Sequence, residues 1–213
     1  MYYLKYFFSV NKLIFHRYDI SFLQRSVLED QFRIESLSQN DLDQLERLLK
    51  IQDVKSEFDR LGAEDRLNKG YLCYAAFLQN EVIGYFWLAI SKLYISYFDA
   101  TLHMKPYQVC GLNAYVHPEY RGLGLFNMIK KYALTELKED QYKEYIGYYF
   151  SWNTASMRSN IKFGSQEIGY VIFGYLLTFR FRTQFLDGIN LEYHNDFLIA
   201  HKKLYQKITS TIK

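Results

Sequence analysis

The sequence predicts an α+β protein, in which a sheet-rich core is combined with several helices. The aromatic content is high, with 21 Tyr and 17 Phe against 2 Pro in 213 residues, and this favours strands and large apolar contacts. Two strongly apolar runs, residues 71–78 and 82–90, are separated by only three polar residues, which predicts a tight antiparallel hairpin. Residues 111–152 then read as strand, helix and strand, an order that implies a right-handed crossover and a parallel pair of strands.

The first part of the chain predicts strands followed by a helix. Residues 2–20 are aromatic on both sides of a polar turn at residues 10–12, so we expect two strands there. Residues 32–37 form a further short strand candidate. Ser38 stands three residues before Asp41 and just ahead of leucines at helical spacing, which is typical of a capped helix.

The central part predicts the parallel pair and the helix between its strands. A second helix is expected over residues 54–67, and residues 91–104 read as a frayed strand or a loop. After a strand at residues 111–116, a helix is expected to leave Lys130 on its outer side. Its apolar stripe consists of Phe126, Ile129, Ala133 and Leu137. An apolar strand buried on both faces follows at residues 145–152.

The last part predicts a short helix, a long strand and a closing helix. Residues 153–162 form a helix that Asn153 caps and Gly164 ends. Residues 168–181 predict one long strand, bent at Gly174. The tail from about residue 193 has helical spacing at Phe197, Leu204, Ile208 and Ile212. Since no repeat or linker interrupts the chain, we expect a single domain over residues 1–213.

The composition excludes several classes of function. A net charge of +3, from 26 Lys and Arg against 23 Asp and Glu, is too small to indicate nucleic-acid binding. No apolar window approaches the roughly 20 residues that span a bilayer, so no membrane span is expected. Cys73 and Cys110 have no CxxC spacing and no nearby histidine cluster, so neither a metal site nor a disulfide is expected and a cytoplasmic location is favoured.

Residues 111–125, GLNAYVHPEYRGLGL, lie directly before the central helix. A strand that runs through a glycine-containing turn into a helix presents bare backbone N–H groups and the positive end of the helix dipole to an anion, usually a phosphate. The segment therefore predicts a phosphate-bearing cofactor.

Two segments of the chain resemble known signatures. VHPEYRGLGL at residues 116–125 and NTASMRSNIKFG at residues 153–164 are similar to the two signatures of the Gcn5-related N-acetyltransferase (GNAT) superfamily. The resemblance covers about residues 71–166. In that family the first signature is R/Q-x-x-G-x-G/A, which Arg121 and Gly124 match, whereas the last position, usually Gly or Ala, is Phe126 here.

The resemblance implies a fold, a cofactor and a set of binding residues. The fold is an α/β/α sandwich with a mixed, mostly antiparallel sheet of about seven strands, whose parallel pair splays into a V that holds the pantetheine arm of acetyl-coenzyme A (acetyl-CoA). The implied cofactor-binding residues are Ala114, Tyr115, Val116, Arg121, Gly122, Leu123, Gly124, Leu125, Phe126, Asn153 and Ser156. No metal is implied.

The proton-handling residues that the resemblance implies are less complete. Many family members place a tyrosine that protonates the departing thiolate seven residues after the helix-capping Asn, and that position is Asn160 here. The strand before the glycine turn has no carboxylate and offers only Asn113 and Tyr115. Histidine is a common general base, which makes His103, in the preceding segment, a candidate for that role. The candidate catalytic residues are therefore His103, Asn113 and Asn160.

The predicted function is acetyl transfer from acetyl-CoA to the amine of a small molecule, by direct attack in a ternary complex, in a monomer or homodimer. Aromatic walls are expected for the acceptor cleft, from Tyr94, Tyr97, Phe98, Phe173 and Tyr175. The form of the second signature is similar to that of bacterial acetyltransferases encoded with surface-polysaccharide genes, which suggests an amino sugar. Two alternatives stay open: an N-acyltransferase that uses longer acyl-CoA or an acyl-carrier protein, and a non-catalytic acyl-CoA-binding module.

Overall fold

The computed structural model describes residues 8–24, 31–51, 60–176, 179–194 and 198–199. The chain forms two compact units. The first unit contains Met1–His16, Lys92–His103 and Tyr148–Lys213, and the second contains Arg17–Ser91 and Met104–Gly147. Single-domain organisation stays a prediction.

Within the described residues the strands are β1 (Phe8–Asp19), β2 (Arg33–Ser36), β3 (Leu72–Leu78), β4 (Glu81–Ala89), β5 (Lys92–Ile95), β6 (Ala100–His103), β7 (Gln108–Val116), β8 (Glu144–Phe150), β9 (Gln166–Leu176), β10 (Phe179–Leu186), β11 (Asn190–Tyr193) and β12 (Leu198–Ile199). The helices are α1 (Leu42–Ile51), α2 (Arg60–Asn68), α3 (Leu125–Glu139) and α4 (Thr154–Phe163). Strands β1 and β8 contribute residues to both units.

In the second unit a mixed sheet lies between helices on both faces. Its strand order is β8-β7-β4-β3-β2, with β7 and β8 parallel and the other neighbours antiparallel. Since side chains alternate along a strand, Tyr85 and Trp87 of β4 belong to a buried cluster with the leucines of α1, while Phe86 contacts Phe126 of α3. The predicted α+β class, the mostly antiparallel sheet and its parallel pair are confirmed.

The tight turn and the helix cap predicted for the second unit are also present. Gln79 and Asn80 join β3 to β4 with φ of +48° and +69°, the positive values that a two-residue type I′ hairpin turn requires. Ser38 and Asp41 form a reciprocal capping box at a 3-10 turn that leads into α1. Helix α2 covers the end of the helix predicted over residues 54–67, and residues 54–59 lie outside the described residues.

In the first unit the strand order is β12-β10-β9-β1-β8, and a separate sheet has the order β11-β6-β5. The hairpin predicted over residues 2–20 is wrong in its described part, because β1 runs straight through residues 10–12. Lys12, which was interpreted as part of the turn, lies within this strand, and its ammonium lies 4.1 Å from the centre of the Tyr170 ring.

The single long strand predicted over residues 168–181 is also wrong. Strands β9 and β10 pair antiparallel from Leu176 with Phe179 to Gly169 with Leu186. Gly174 is needed for space, since a Cβ there would collide with the backbone carbonyl of Ser9. The closing helix predicted from residue 193 is wrong at residues 198–199, which form β12, and residues 200–213 lie outside the described residues.

Residues 91–104, which the sequence left open, form a hairpin. Strands β5 and β6 pair through a 3-10 turn at Ser96–Phe98. Among the described residues, no helix is long and apolar enough to cross a membrane. The described residues also contain no group of three or more His, Cys, Asp or Glu side chains placed to hold a metal ion.

Candidate active site

Strand β7 pairs with its two neighbours over different lengths. Its pairing with β8 covers Gln108–Cys110 against Glu144–Ile146, whereas its pairing with β4 continues to Val116. A register shift in that second ladder leaves Leu112 and Asn113 opposite Trp87, between the pairs Leu88–Gly111 and Phe86–Ala114. Such a bulge redirects backbone groups. From Gly111 onward, the β7 edge that faces β8 has no ladder partner among the described strands.

A short anchored turn carries the chain from β7 to α3. The His117 N–H donates to the Ile83 carbonyl at 2.8 Å, and a 3-10 turn follows at Pro118–Tyr120. The Arg121 Nε donates to the Val116 carbonyl at 3.0 Å, and its guanidinium carbon lies 5.3 Å from the centre of the Tyr115 ring. These contacts hold the turn against the end of β7.

The two glycines of the turn adopt left-handed backbone conformations. Gly122 has φ of +82° and Gly124 of +78°, and a Cβ on either would meet no atom within 4 Å. The positive φ angles, and not a lack of space for a side chain, therefore explain the glycines at these two positions. Gly124 is also the N-cap of α3 and has no side chain to cap the helix.

The backbone amides of residues 122–126 are available to a ligand. In the described chain none of them donates to a protein acceptor, and the first bond of α3 runs from Met128 N–H to the Gly124 carbonyl. Consecutive amides at the N-terminus of a 15-residue helix form an anion site. The residues present fit a pyrophosphate, because the glycines leave the approach open. We call residues 121–126 the anion cradle.

Leu125 and Phe126 anchor this cradle to the sheet. Leu125 is buried, and the Phe126 ring meets Phe86 of β4 edge-on, with ring centres 5.6 Å apart. The bulky residue that replaces the usual Gly or Ala thus has a packing partner in the core. Leu123, between the two glycines of the turn, is 59% exposed.

Tyr145 of β8 reaches across to β7 at the point where their pairing ends. A Cβ on Gly111 would lie 2.5 Å from the Tyr145 hydroxyl and 2.9 Å from Cζ of Phe86. Gly111 is therefore glycine because the phenol occupies the space beside it. The amino-acid sequence offered no signal for this contact, since the two residues are 34 positions apart.

The prediction that Lys130 lies on the outside of its helix is wrong. Its side chain is fully buried, and its Nζ lies 4.2 Å from the centre of the Tyr145 ring. Desolvation lowers the pKa of this amine to about 7. A long aliphatic stem let the residue follow the apolar stripe, which helical spacing alone could not show.

The side chains next to the bulge contact one another. Asn113 forms a side-chain hydrogen bond with the Tyr85 hydroxyl, and burial raises the pKa of that phenol. The Tyr115 ring stacks on Tyr85 at 6.2 Å, and Ala114 is exposed. Burial also raises the pKa of the Cys110 thiol, which makes it a packing residue rather than a nucleophile.

In the first unit, α4 has the predicted cap and end. The Asn153 Oδ1 accepts from the Ser156 N–H at 3.0 Å, and Gly164 ends the helix with φ of +90°. Asn160 is buried, and its Nδ2 donates to the Ser156 carbonyl at 2.9 Å. Asn160, at the position of the family's tyrosine, therefore forms a hydrogen bond within its own helix.

His103, also in the first unit, has a partner that the sequence did not reveal. Its Nε2 lies 2.6 Å from the Glu192 carboxylate, on the neighbouring strand β11. A histidine that is oriented by a carboxylate is the arrangement of a general base. Glu192 was not recognised from the sequence, because it lies 89 residues away.

Comparisons with known proteins agree with this geometry. A model of the acetyltransferase (GNAT) family matches residues 35–162, more than half of the chain. None of the curated proteins searched matches the sequence. Among solved structures, a functionally unknown protein from Staphylococcus epidermidis has 13% identity and a TM-score of 0.53, with 78% of this chain and 61% of that protein covered.

Two further solved structures share the fold. A tandem GNAT protein from the clavulanic acid biosynthesis pathway has 12% identity and a TM-score of 0.56, with 83% of this chain and 54% of that protein covered. AAC(6′)-Iy, solved with the bisubstrate analogue CoA-S-monomethyl-acetylneamine, has 18% identity and a TM-score of 0.50, with coverage of 62% and 89%.

The chain spans less than two thirds of the length of the Staphylococcus protein and of the tandem protein. At these identities the likeness shows the fold alone. The family model, however, matches more than half of the chain and covers both signature segments almost completely. The chain belongs to the GNAT acetyltransferase family.

Proposed function

We propose that the protein transfers an acetyl group from acetyl-CoA to the amine of a small molecule, by direct attack of the amine on the thioester. The observation that carries this proposal is the anion cradle, with its two left-handed glycines and its available amides at the start of α3. We further propose a single catalytic domain, monomeric or homodimeric. Its two cysteines, both free and buried, agree with a cytoplasmic setting.

The chain offers three groups of contacts to the cofactor. The amides of residues 122–126 would bind the pyrophosphate, with Arg121 beside them. Backbone groups of Ala114, Tyr115 and Val116 would pair with the pantetheine arm, as an added strand pairs with a sheet edge. Asn153 and Ser156, in the first unit, are further proposed cofactor-binding residues.

When bound, acetyl-CoA supplies an activated thioester carbonyl. The chain has to stabilise the oxygen of that carbonyl and take a proton from the attacking amine. A backbone N–H near the β7 bulge is our candidate for the oxygen, since the bulge turns peptide groups away from the ladder. His103, oriented by Glu192, is our candidate base, and Asn113 is proposed as a polar contact for the acceptor.

An amino sugar is the acceptor that we propose. AAC(6′)-Iy was solved with an acetylneamine analogue, and an aminoglycoside acetyltransferase from an uncultured soil metagenomic sample, with 15% identity and a TM-score of 0.50, was solved with trehalose. In this chain Tyr97 is 52% exposed and packs on Phe150, and Trp152, 68% exposed, stacks on the same ring. Exposed aromatic rings suit the apolar face of a sugar.

The direct test is thiol release from acetyl-CoA, measured across a panel of amines that includes amino sugars, amino acids and polyamines. We expect turnover with at least one amino sugar and acetylation at nitrogen, located by mass spectrometry. Binding of CoA without turnover of any acceptor would contradict the enzymatic proposal.

A non-catalytic acyl-CoA-binding module is a second candidate. The Asn160 amide, bonded within α4, favours it, because no tyrosine stands at that position to protonate the thiolate. The longer-acyl alternative is less well supported, since the Phe126 ring packs on Phe86. Affinities for acetyl-, octanoyl- and palmitoyl-CoA test the longer-acyl alternative: an increase in affinity with chain length favours the longer-acyl donor.

A further inference from the structure

We propose that the Tyr145 phenol contacts the sulfur of bound coenzyme A and donates the proton that the departing thiolate needs, with Lys130 placed against the same ring. The inference rests on the proposed function, and it names the acid that Asn160 does not provide. All of the residues involved belong to the second unit.

The order of β7 and the anion cradle along the chain sets the direction of a bound cofactor. The anion cradle follows the C-terminal end of β7, so an arm that starts there and pairs with the free β7 edge runs back from Val116 toward Gly111. These five residue steps span roughly 17 Å at about 3.3 Å per residue. The thiol end therefore arrives near Gly111, where the pairing of β7 with β8 ends.

The Tyr145 phenol lies beside Gly111. The Tyr145 hydroxyl would be 2.5 Å from a Cβ on Gly111, so the phenol lies directly beside the first residue of β7 whose edge is free of β8. The ring is held in this position, because Tyr145 is only 3% exposed and meets Phe86 at 6.2 Å. A rigid hydroxyl is thereby fixed where the sulfur is expected.

Lys130 of α3 lies against the ring of Tyr145. Its Nζ lies 4.2 Å from the Tyr145 ring centre, in a site with no solvent exposure. A fully buried amine costs stability, and such groups are concentrated at functional sites. In its protonated form, Lys130 would stabilise the tyrosinate that forms when the phenol gives up its proton.

The proton balance is closed. The amine nitrogen bonds to the carbonyl carbon, the C–S bond breaks, and its electron pair stays on sulfur. The Tyr145 O–H then transfers its proton to sulfur, which gives the coenzyme A thiol and a tyrosinate. The amide nitrogen loses its extra proton to the base or to water, and the tyrosinate regains a proton from water.

The test is a binding cycle that needs no turnover. Calorimetry at pH 8 measures the affinities of coenzyme A and of desulfo-coenzyme A, in which hydrogen replaces the thiol, for the wild type, Tyr145→Phe and Tyr74→Phe. Tyr74 is the matched control, because it is a buried tyrosine whose ring meets Tyr132 of α3. Circular dichroism checks that each variant is folded.

We expect the wild type and Tyr74→Phe to bind coenzyme A at least fivefold more tightly than the desulfo form, and Tyr145→Phe to lose that preference. Equal preferences in wild type and Tyr145→Phe would overturn the inference, as would a wild type with no preference, a result that needs no variant. A wild type that binds neither molecule would instead refute the proposed function. In turnover, Tyr145→Phe should lower kcat more than tenfold.

Discussion

The anion cradle and the groups proposed to transfer protons differ in how far apart their residues lie along the chain. The cradle takes its amides from residues 122–126, and its geometry follows from two left-handed glycines and a helix start. His103 contacts Glu192, 89 residues further along the chain, and Tyr145 lies beside Gly111, 34 residues earlier in the chain. A site made of consecutive backbone groups is therefore specified locally, whereas a site made of side chains depends on how distant segments pair. Four substitutions test this contrast.

The largest effect on stability is expected at Lys130, which is buried against Tyr145, a residue from a different element. In the fold, Lys130 has a pKa of about 7, against 10.5 for an ordinary lysine. Below pH 7 the Lys130 amine is protonated in both the folded and the unfolded state, so the folded state carries the full free-energy cost of burying its charge. Between about pH 7 and 10.5 the unfolded chain binds more protons, so stability rises with pH by at most about 1.4 kcal/mol per unit.

Lys130→Met should therefore stabilise the protein most at or below pH 7, and the advantage should shrink toward pH 10.5. Chemical denaturation across that range measures it. Lys131→Met, at the partly buried neighbouring position, is the control and should show no such trend. A stability difference between Lys130→Met and wild type that does not change with pH would refute the burial of the charge.

Gly111→Ala tests the contact of Tyr145 with β7. The new Cβ would lie 2.5 Å from the hydroxyl and 2.8 Å from a ring carbon of Tyr145, so we expect overpacking to cost about 1–3 kcal/mol of unfolding free energy. Gly84→Ala, whose nearest contact is 3.1 Å, should cost less. In a Tyr145→Phe background the cost of Gly111→Ala should fall. An equal cost in both backgrounds would mean that the hydroxyl is not the obstacle.

Gly124→Val tests the local site. A Cβ at φ of +78° strains the backbone and stands in the approach to the amides, so coenzyme A affinity should fall more than tenfold, about 1.4 kcal/mol. Gly70→Val is a close match, since Gly70 has φ of +77° and equally open surroundings. It should lose similar stability, as denaturation reports, but keep its affinity in calorimetry. Equal affinity losses would show that strain alone weakens binding.

Glu192→Gln should give the smallest change in stability. The His103 and Glu192 side chains are 40% and 59% exposed, so their pair contributes less than about 1 kcal/mol. If Glu192 orients a base, kcat should fall several-fold while coenzyme A affinity stays unchanged. Glu35→Gln, which removes the exposed pair with Arg33, is the control and should leave kcat unaltered. An unchanged kcat in Glu192→Gln would remove His103 and Glu192 from the proposed mechanism.

The same contrast explains what the sequence could predict. Turn residues, caps and alternating apolar runs are local, so the β3–β4 hairpin, the capping box at Ser38 and the ends of α4 were predicted correctly. The β9–β10 hairpin was not, because residues 177–178 are Leu and Thr and carry no turn signal. The apolar stripe of α3 gave no sign that Lys130 is buried, since that depends on Tyr145 from another element.

A crystal structure of the protein with coenzyme A bound tests the central claim most directly. We predict that the pyrophosphate oxygens lie within hydrogen-bond distance of the amides of residues 122–126. The pantetheine arm should follow the β7 edge, and the sulfur should lie near the Tyr145 hydroxyl. Phosphates bound away from the cradle, with those amides facing only water, would contradict the account.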